Sequence, residues 1–216
     1  MKLYIDCHMV KPKMVYVSNS TEIGTVYNKD ELKQIYETCK EYGLYLFLDG
    51  ARLPIALTSS ENDMTIKDIA HYTDVFYLGG AKNGLPVGEM LIIKNKEINE
   101  HFKYHLKNQG GMVSKGFFLS YMFKEYLEND FYLELASIAN RTAEYLKNEF
   151  SKLGVEIVYP NATNQIFVRL DNNKIDELSE KFDFEMWEKG SEKSVIRLVT
   201  SWSSRIEDCD ELLKYI

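Results

Sequence analysis

The sequence predicts an α/β fold, with a mostly parallel sheet before about residue 130 and a smaller α/β unit after it. Short apolar runs alternate with segments of helical periodicity through the first half, the order of strands joined by crossover helices. Two long helical stretches follow, and then further short strands and helices, the order expected of a second, smaller unit. A third observation bears on function. Leu46-Phe47-Leu48-Asp49-Gly50-Ala51-Arg52 and Leu78-Gly79-Gly80-Ala81-Lys82-Asn83-Gly84 each close an apolar run with a charged residue beside glycine. A parallel strand delivers a side chain into the crevice at its carboxyl end in this way.

Each element has a local cause. Residues 14–17 are a β-rich run ending in Ser18-Asn19-Ser20-Thr21, a strand and then a loop. Asp30 is placed to cap a helix over residues 31–42, where Leu32, Ile35 and Tyr36 recur at helical spacing and Gly43 is a stop. Residues 44–48 are apolar throughout, as a strand covered on both faces must be. Thr65 caps a short helix over residues 66–72, and residues 74–78 and 90–93 are the next strands. Residues 117–127 and 131–153 read as helices, broken at Asn129-Asp130 and stopped by Gly154. Strands are expected at 155–159, 166–170 and 195–200, and helices at 174–182 and 206–215. The domain boundary falls near residue 130, dividing 1–130 from 131–216. Tyr121, Phe123, Tyr126, Phe131 and Tyr132 read as core rather than as a binding box.

Composition excludes several classes. With 216 residues and 45% of them hydrophobic, the chain can bury a sizeable core. A net charge of −7 argues against a nucleic-acid or anionic-membrane surface. Cys7, Cys39 and Cys209 are widely spaced and form no metal or disulfide pattern, as in a reduced, cytoplasmic protein. No stretch approaches the ~20 apolar residues of a membrane span. His101 and His105 stand four residues apart, but no third ligand accompanies them, so no metal site is expected.

The residues able to carry chemistry each have a plainer alternative. Asp49 can be a turn aspartate, or the acidic partner of a protonated ring nitrogen. Lys82 can be a solvated loop lysine, or an amine displayed by glycines for covalent catalysis. An acid on one strand edge and a lysine on a later one suit a cofactor held at two points, as pyridoxal phosphate is. Arg52 can pair with Asp49 or with an anion. Arg197 interrupts the apolar run Val195-Ile196-Arg197-Leu198-Val199-Thr200, as a salt bridge or as a bidentate clamp on a carboxylate. Arg169 has the same ambiguity and is expected to be structural. The loop Ser18-Asn19-Ser20-Thr21-Glu22-Ile23-Gly24-Thr25 follows a strand and can line the same crevice, and Gly110-Gly111-Met112-Val113-Ser114-Lys115-Gly116 is a weak anion-site candidate.

Taken together, the Asp49 run, the Lys82 run, Arg197-Leu198-Val199-Thr200-Ser201-Trp202 and the 18–27 loop resemble the threonine aldolase/β-eliminating lyase family of fold-type-I pyridoxal-phosphate enzymes. The resemblance covers nearly the whole chain in order. It implies that Lys82 binds the cofactor aldehyde covalently, Asp49 contacts the pyridine nitrogen and Arg52 sits beside the cofactor. Arg197 would hold the substrate carboxylate, with Ser20 on the substrate side. The implied reaction is retro-aldol cleavage of a β-hydroxy-α-amino acid, such as threonine to glycine and acetaldehyde, in a homo-oligomer.

Two departures stand out. Val113 occupies a position where many threonine aldolases carry an arginine near the phosphate, and Lys115 is the nearest basic residue. The family's N-terminal segment, with its phosphate cup and stacking histidine, has no counterpart. The chain therefore reads as the C-terminal part of a longer protein, its large domain partial. Alternatives to the aldolase are a β-eliminating lyase of the same family and a non-catalytic fragment.

Overall fold

A computed structural model describes His8 and residues 10–216; Cys7 lies outside the described residues. The first sheet is built from β1 (Met14–Ser18), β2 (Tyr45–Asp49), β3 (Val75–Gly79) and β4 (Glu89–Ile93), in that spatial order. β1 to β3 run parallel, and β4 returns antiparallel along β3. α1 (Lys29–Glu41) makes the crossover from β1 to β2. α2 (Leu53–Leu57) and α3 (Ile66–His71) lie between β2 and β3.

Local chemistry sets the helix starts. Asn28, not Asp30, caps α1: its Oδ1 accepts from the Glu31 amide at 2.9 Å while Glu31 Oε2 accepts from the Asn28 amide at 2.9 Å. This is a reciprocal capping box. Asp30 lies two residues on, within the first turn, where its charge favours the positive helix end. Thr65 caps α3 in the same way with Asp68, as its sequence predicts. Leu32, Leu46, Leu48, Leu53, Ile69, Phe76 and Leu78 form the first core.

After β4 the chain forms a single 3₁₀-free run of helices: α4 (Lys96–Asn99), α5 (Phe102–Asn108), α6 (Phe117–Glu128) and α7 (Phe131–Lys152). Phe123, Tyr126 and Tyr132 are buried as expected. Tyr121 and Phe131 are not core: they are 61% and 46% exposed, on the outward side of their helices. The second sheet has the order β5-β6-β8-β7, from β5 (Glu156–Ile157), β6 (Gln165–Asp171), β7 (Glu185–Glu188) and β8 (Lys193–Val199). α8 (Asn172–Ser179) follows β6, and α9 (Ile206–Leu213) ends the chain's regular structure. Alternate residues Ile166, Val168 and Leu170 of β6, and Ile196 and Leu198 of β8, pack with α7, α8 and α9 in a second core. The opposite face of that sheet bears Phe167 and Arg197, paired in register. Cys39 and Cys209 are buried free thiols.

Candidate active site

Because β1, β2 and β3 are parallel, their carboxyl ends lie along one edge of the sheet. The 18–25 loop, Asp49 and Lys82 follow those three ends in turn. Glycine makes the convergence possible. A Cβ on Gly50 would sit 1.7 Å from the Tyr77 carbonyl oxygen, and one on Gly79 would sit 2.4 Å from that of Ala51. With neither side chain present, the two strand ends close on each other through the Gly79 amide and the Gly50 carbonyl at 2.9 Å.

Lys82 lies exposed in a 3₁₀ turn, Ala81–Asn83. The turn is fixed from both sides. Buried Asn83 donates to the Tyr132 carbonyl at 2.8 Å, and its own carbonyl accepts from the Tyr126 hydroxyl. Glu89 Oε2 accepts from the Gly80 amide at 2.7 Å. Burial pushes the Glu89 carboxyl up, against the pull of these amides and of Lys82. Asn83 and Glu89 hold the turn that carries Lys82, and the sequence alone did not mark them. The signal available was an asparagine inside a glycine-rich turn, which carries no direction without the partner helix.

Asp49 is half-buried and accepts three hydrogen bonds, from the hydroxyls of Tyr16 and Tyr77 and from the Ala51 amide at 2.9 Å. Burial works to raise its pKa, but the two tyrosines, the amide and the nearby charge of Lys82 outweigh it and hold the carboxyl low. Arg52 follows on the next turn. Its guanidinium has no hydrogen bond or ion pair among the described residues, and burial, then the facing charge of Arg197, draw its pKa down.

Arg197 comes from the second sheet. It lies in register with Phe167 on one side and Glu185 on the other. Its guanidinium bonds to Glu185, accepts packing from the Trp187 ring at 5.4 Å, and donates to Gln165 Oε1 at 3.2 Å. Its Nε is buried without a partner. Gln165 is the joint between sheets: its amide nitrogen donates to the Thr21 carbonyl at 3.0 Å. In the same loop Ser20 Oγ and Asn19 Nδ2 are also buried without partners.

Other candidates fall elsewhere. Arg169 pairs with Glu156 at 3.1 Å, the structural role expected of it. Val113 and Lys115 lie in an exposed stretch, residues 110–115. His101 and His105 are exposed at the start of α5 and within it. A separate polar cleft of about 440 Å³ is lined by Thr58, Asn140, Arg141, Lys147 and Asn161 and holds none of the residues singled out above.

The chain belongs to the beta-eliminating lyase family, whose family model matches residues 2–173. It is similar to the low-specificity L-threonine aldolase of Pseudomonas aeruginosa, 36% identical over 98% of this chain and 61% of that protein. It is also similar to the solved Leishmania major threonine aldolase, with TM-score 0.94 and 41% identity over 97% of this chain and 62% of that one. A Thermus thermophilus aspartate aminotransferase variant shares the fold at TM-score 0.68 and 15% identity. The architecture is therefore fold type I. The chain spans about 61% of the length of the Pseudomonas relative.

Proposed function

We propose that the chain contributes the catalytic groups of a pyridoxal-phosphate-dependent lyase of threonine aldolase type, acting on a β-hydroxy-α-amino acid. The observation that carries this reading is the pairing of Lys82 with a tightly held, low-pKa Asp49 on neighbouring ends of parallel strands. The residues present fit the cofactor. Asp49 retains accepting capacity for a ring N–H, and Arg197 Nε and Ser20 Oγ are buried polar atoms that a bound acid and amine would satisfy.

When bound, pyridoxal phosphate supplies an electron sink for the pair released as the Cα–Cβ bond of the amino acid breaks. Lys82 is the amine that would hold the aldehyde. Asp49, kept ionised, would hold the proton on the pyridine nitrogen. Arg52, uncommitted beside it, has charge to offer an anionic group. Arg197 would grip the α-carboxylate, with Gln165 fixing the guanidinium against the 18–25 loop. Ser20 would stand on the substrate side.

The rest of the reading is of the same kind. A division into 1–130 and 131–216 is supported by the two separate cores, although Tyr132 and Leu135 of α7 pack with the first. A homo-oligomer is supported by the exposed aromatics Tyr104, Phe117, Phe118 and Tyr121 on α5 and α6. A cytoplasmic location is supported by two buried free thiols. No helix among the described residues is long and apolar enough to cross a membrane.

The test is the visible absorbance of protein-bound pyridoxal phosphate. Wild-type chain acquires it and Lys82→Ala loses it; equal binding by the variant overturns the proposal. An aldolase assay with threonine then separates a catalytic chain from one that binds without turnover, and release of an α-keto acid in place of acetaldehyde would mark β-elimination.

A further inference from the structure

We propose that Tyr16 and Tyr77 are positioning residues that clamp the Asp49 carboxylate from two neighbouring strands and leave one of its lone pairs free for a cationic N–H. The proposal rests on the reading of Asp49 as the partner of the cofactor ring.

The sheet builds the clamp. Tyr16 of β1 stands in register with Phe47 of β2, and Asp49 lies two residues beyond Phe47 on the same face. The Tyr16 ring stacks on Phe47 with centroids 5.4 Å apart, and Tyr77 of β3 packs against the other side of Phe47 at 6.2 Å. Phe47 thus spaces two phenols, which reach past it to the two oxygens of Asp49.

Counting lone pairs gives the role. An ionised carboxylate offers about four acceptor positions. Oδ1 takes the Tyr77 hydroxyl and the Ala51 amide, and Oδ2 takes the Tyr16 hydroxyl. One position on Oδ2 remains. Phenol donors suit this task because they are neutral. An arginine or lysine in either place would hold the carboxylate equally well but would cancel the charge that a ring N–H requires. Both hydroxyls keep their protons: the bond to Asp49, then burial, push Tyr16 up to about 12, and burial, then the bond to Asp49, push Tyr77 higher still. The other charged groups bearing on the cluster are Lys82, Arg52, Glu89 and Glu22.

The experiment uses the full chain with carboxyl-¹³C aspartate, titrated by NMR without cofactor, with D49N assigning the resonance. Y16F and Y77F should each raise the Asp49 midpoint by about half to one pH unit, and the double variant by more. Tyr16 is 54% exposed, so its loss leaves the fold intact, and thermal melts verify both variants. Added pyridoxal phosphate should bind several-fold more weakly to Y77F at neutral pH. Unmoved midpoints in both variants overturn the clamp, and shifted midpoints with unchanged cofactor affinity overturn its role toward the ring. Since the titration needs no cofactor, its outcome is independent of the Lys82→Ala test.

Discussion

At the scale of single residues, Gly50 is where sequence and chemistry meet most tightly. Its missing Cβ is the space taken by the Tyr77 carbonyl, so the strand ends that carry Asp49 and Lys82 touch through bare backbone. Gly50→Ala forces that contact apart. The expected loss is about 3 kcal/mol or more, read as a lower midpoint in urea denaturation, together with loss of the cofactor absorbance. A variant as stable as the parent would show that the strand ends can part freely. Asp49 and Lys82 stood out as a charge closing an apolar run beside glycine, a pattern that a turn aspartate or a loop lysine gives equally well. Tyr16 and Tyr77 were not legible. A tyrosine in a strand is ordinary, and only the register across three strands brings both hydroxyls to one carboxylate.

Among elements, the anchor between α1 and the strands is Asp74, which is 4% exposed. Its carboxylate accepts from Lys40 at 2.6 Å and from the Leu46 amide at 2.8 Å. Burial alone would raise its pKa, but Lys40, the Leu46 amide and Asn95 together carry it below the ordinary value. A depressed carboxyl stabilises the fold above the unfolded-chain value of about pH 4, and that stabilisation fades as pH falls through the folded-state value. Asp74→Ala should cost about 2–4 kcal/mol at neutral pH by urea melts and flatten the acid limb of the stability profile. Elements with strong periodicity or a cap motif were readable: α1, α3, α7, β2, β6 and β8 lie within a few residues of expectation. β7, only four residues of mixed polarity, was missed because its pairing with β8 supplies the order that its sequence lacks. The strand expected at 155–159 shrinks to β5, two residues long: the ladder with β6 covers Glu156 and Ile157, and one further bond runs from the Val158 amide to the Phe167 carbonyl at 2.9 Å.

For the molecule as a whole, the two sheets are joined through polar side chains rather than by a shared apolar seam alone. Lys147 on α7 donates to the Asn161 carbonyl at 2.8 Å, Asn161 Oδ1 at 3.0 Å and the Thr163 carbonyl at 2.6 Å. Asn161 and Thr163 in turn hold the Ile23 and Gly24 carbonyls at 3.1 and 2.9 Å. Lys147→Met removes the three bonds that the ammonium donates to that hub while keeping the aliphatic stem. Amide hydrogen exchange should then quicken in residues 21–25 and 161–165, with the β2 and β3 amides unchanged; uniform exchange across the chain would refute the hub. None of this was visible in the sequence, where Lys147 is one lysine on a long amphipathic helix.

Asn161, Thr163 and Gln165 lie within five residues of one another, and all three grip the loop after β1. The grip couples the halves energetically. Parting them strands several buried polar groups at once, so intermediate degrees of opening are disfavoured against fully joined or fully separated states. Arg197 of one sheet and Asp49 and Lys82 of the other are therefore brought together or parted as one, and the grip on the loop after β1 behaves as a cooperative unit of the fold.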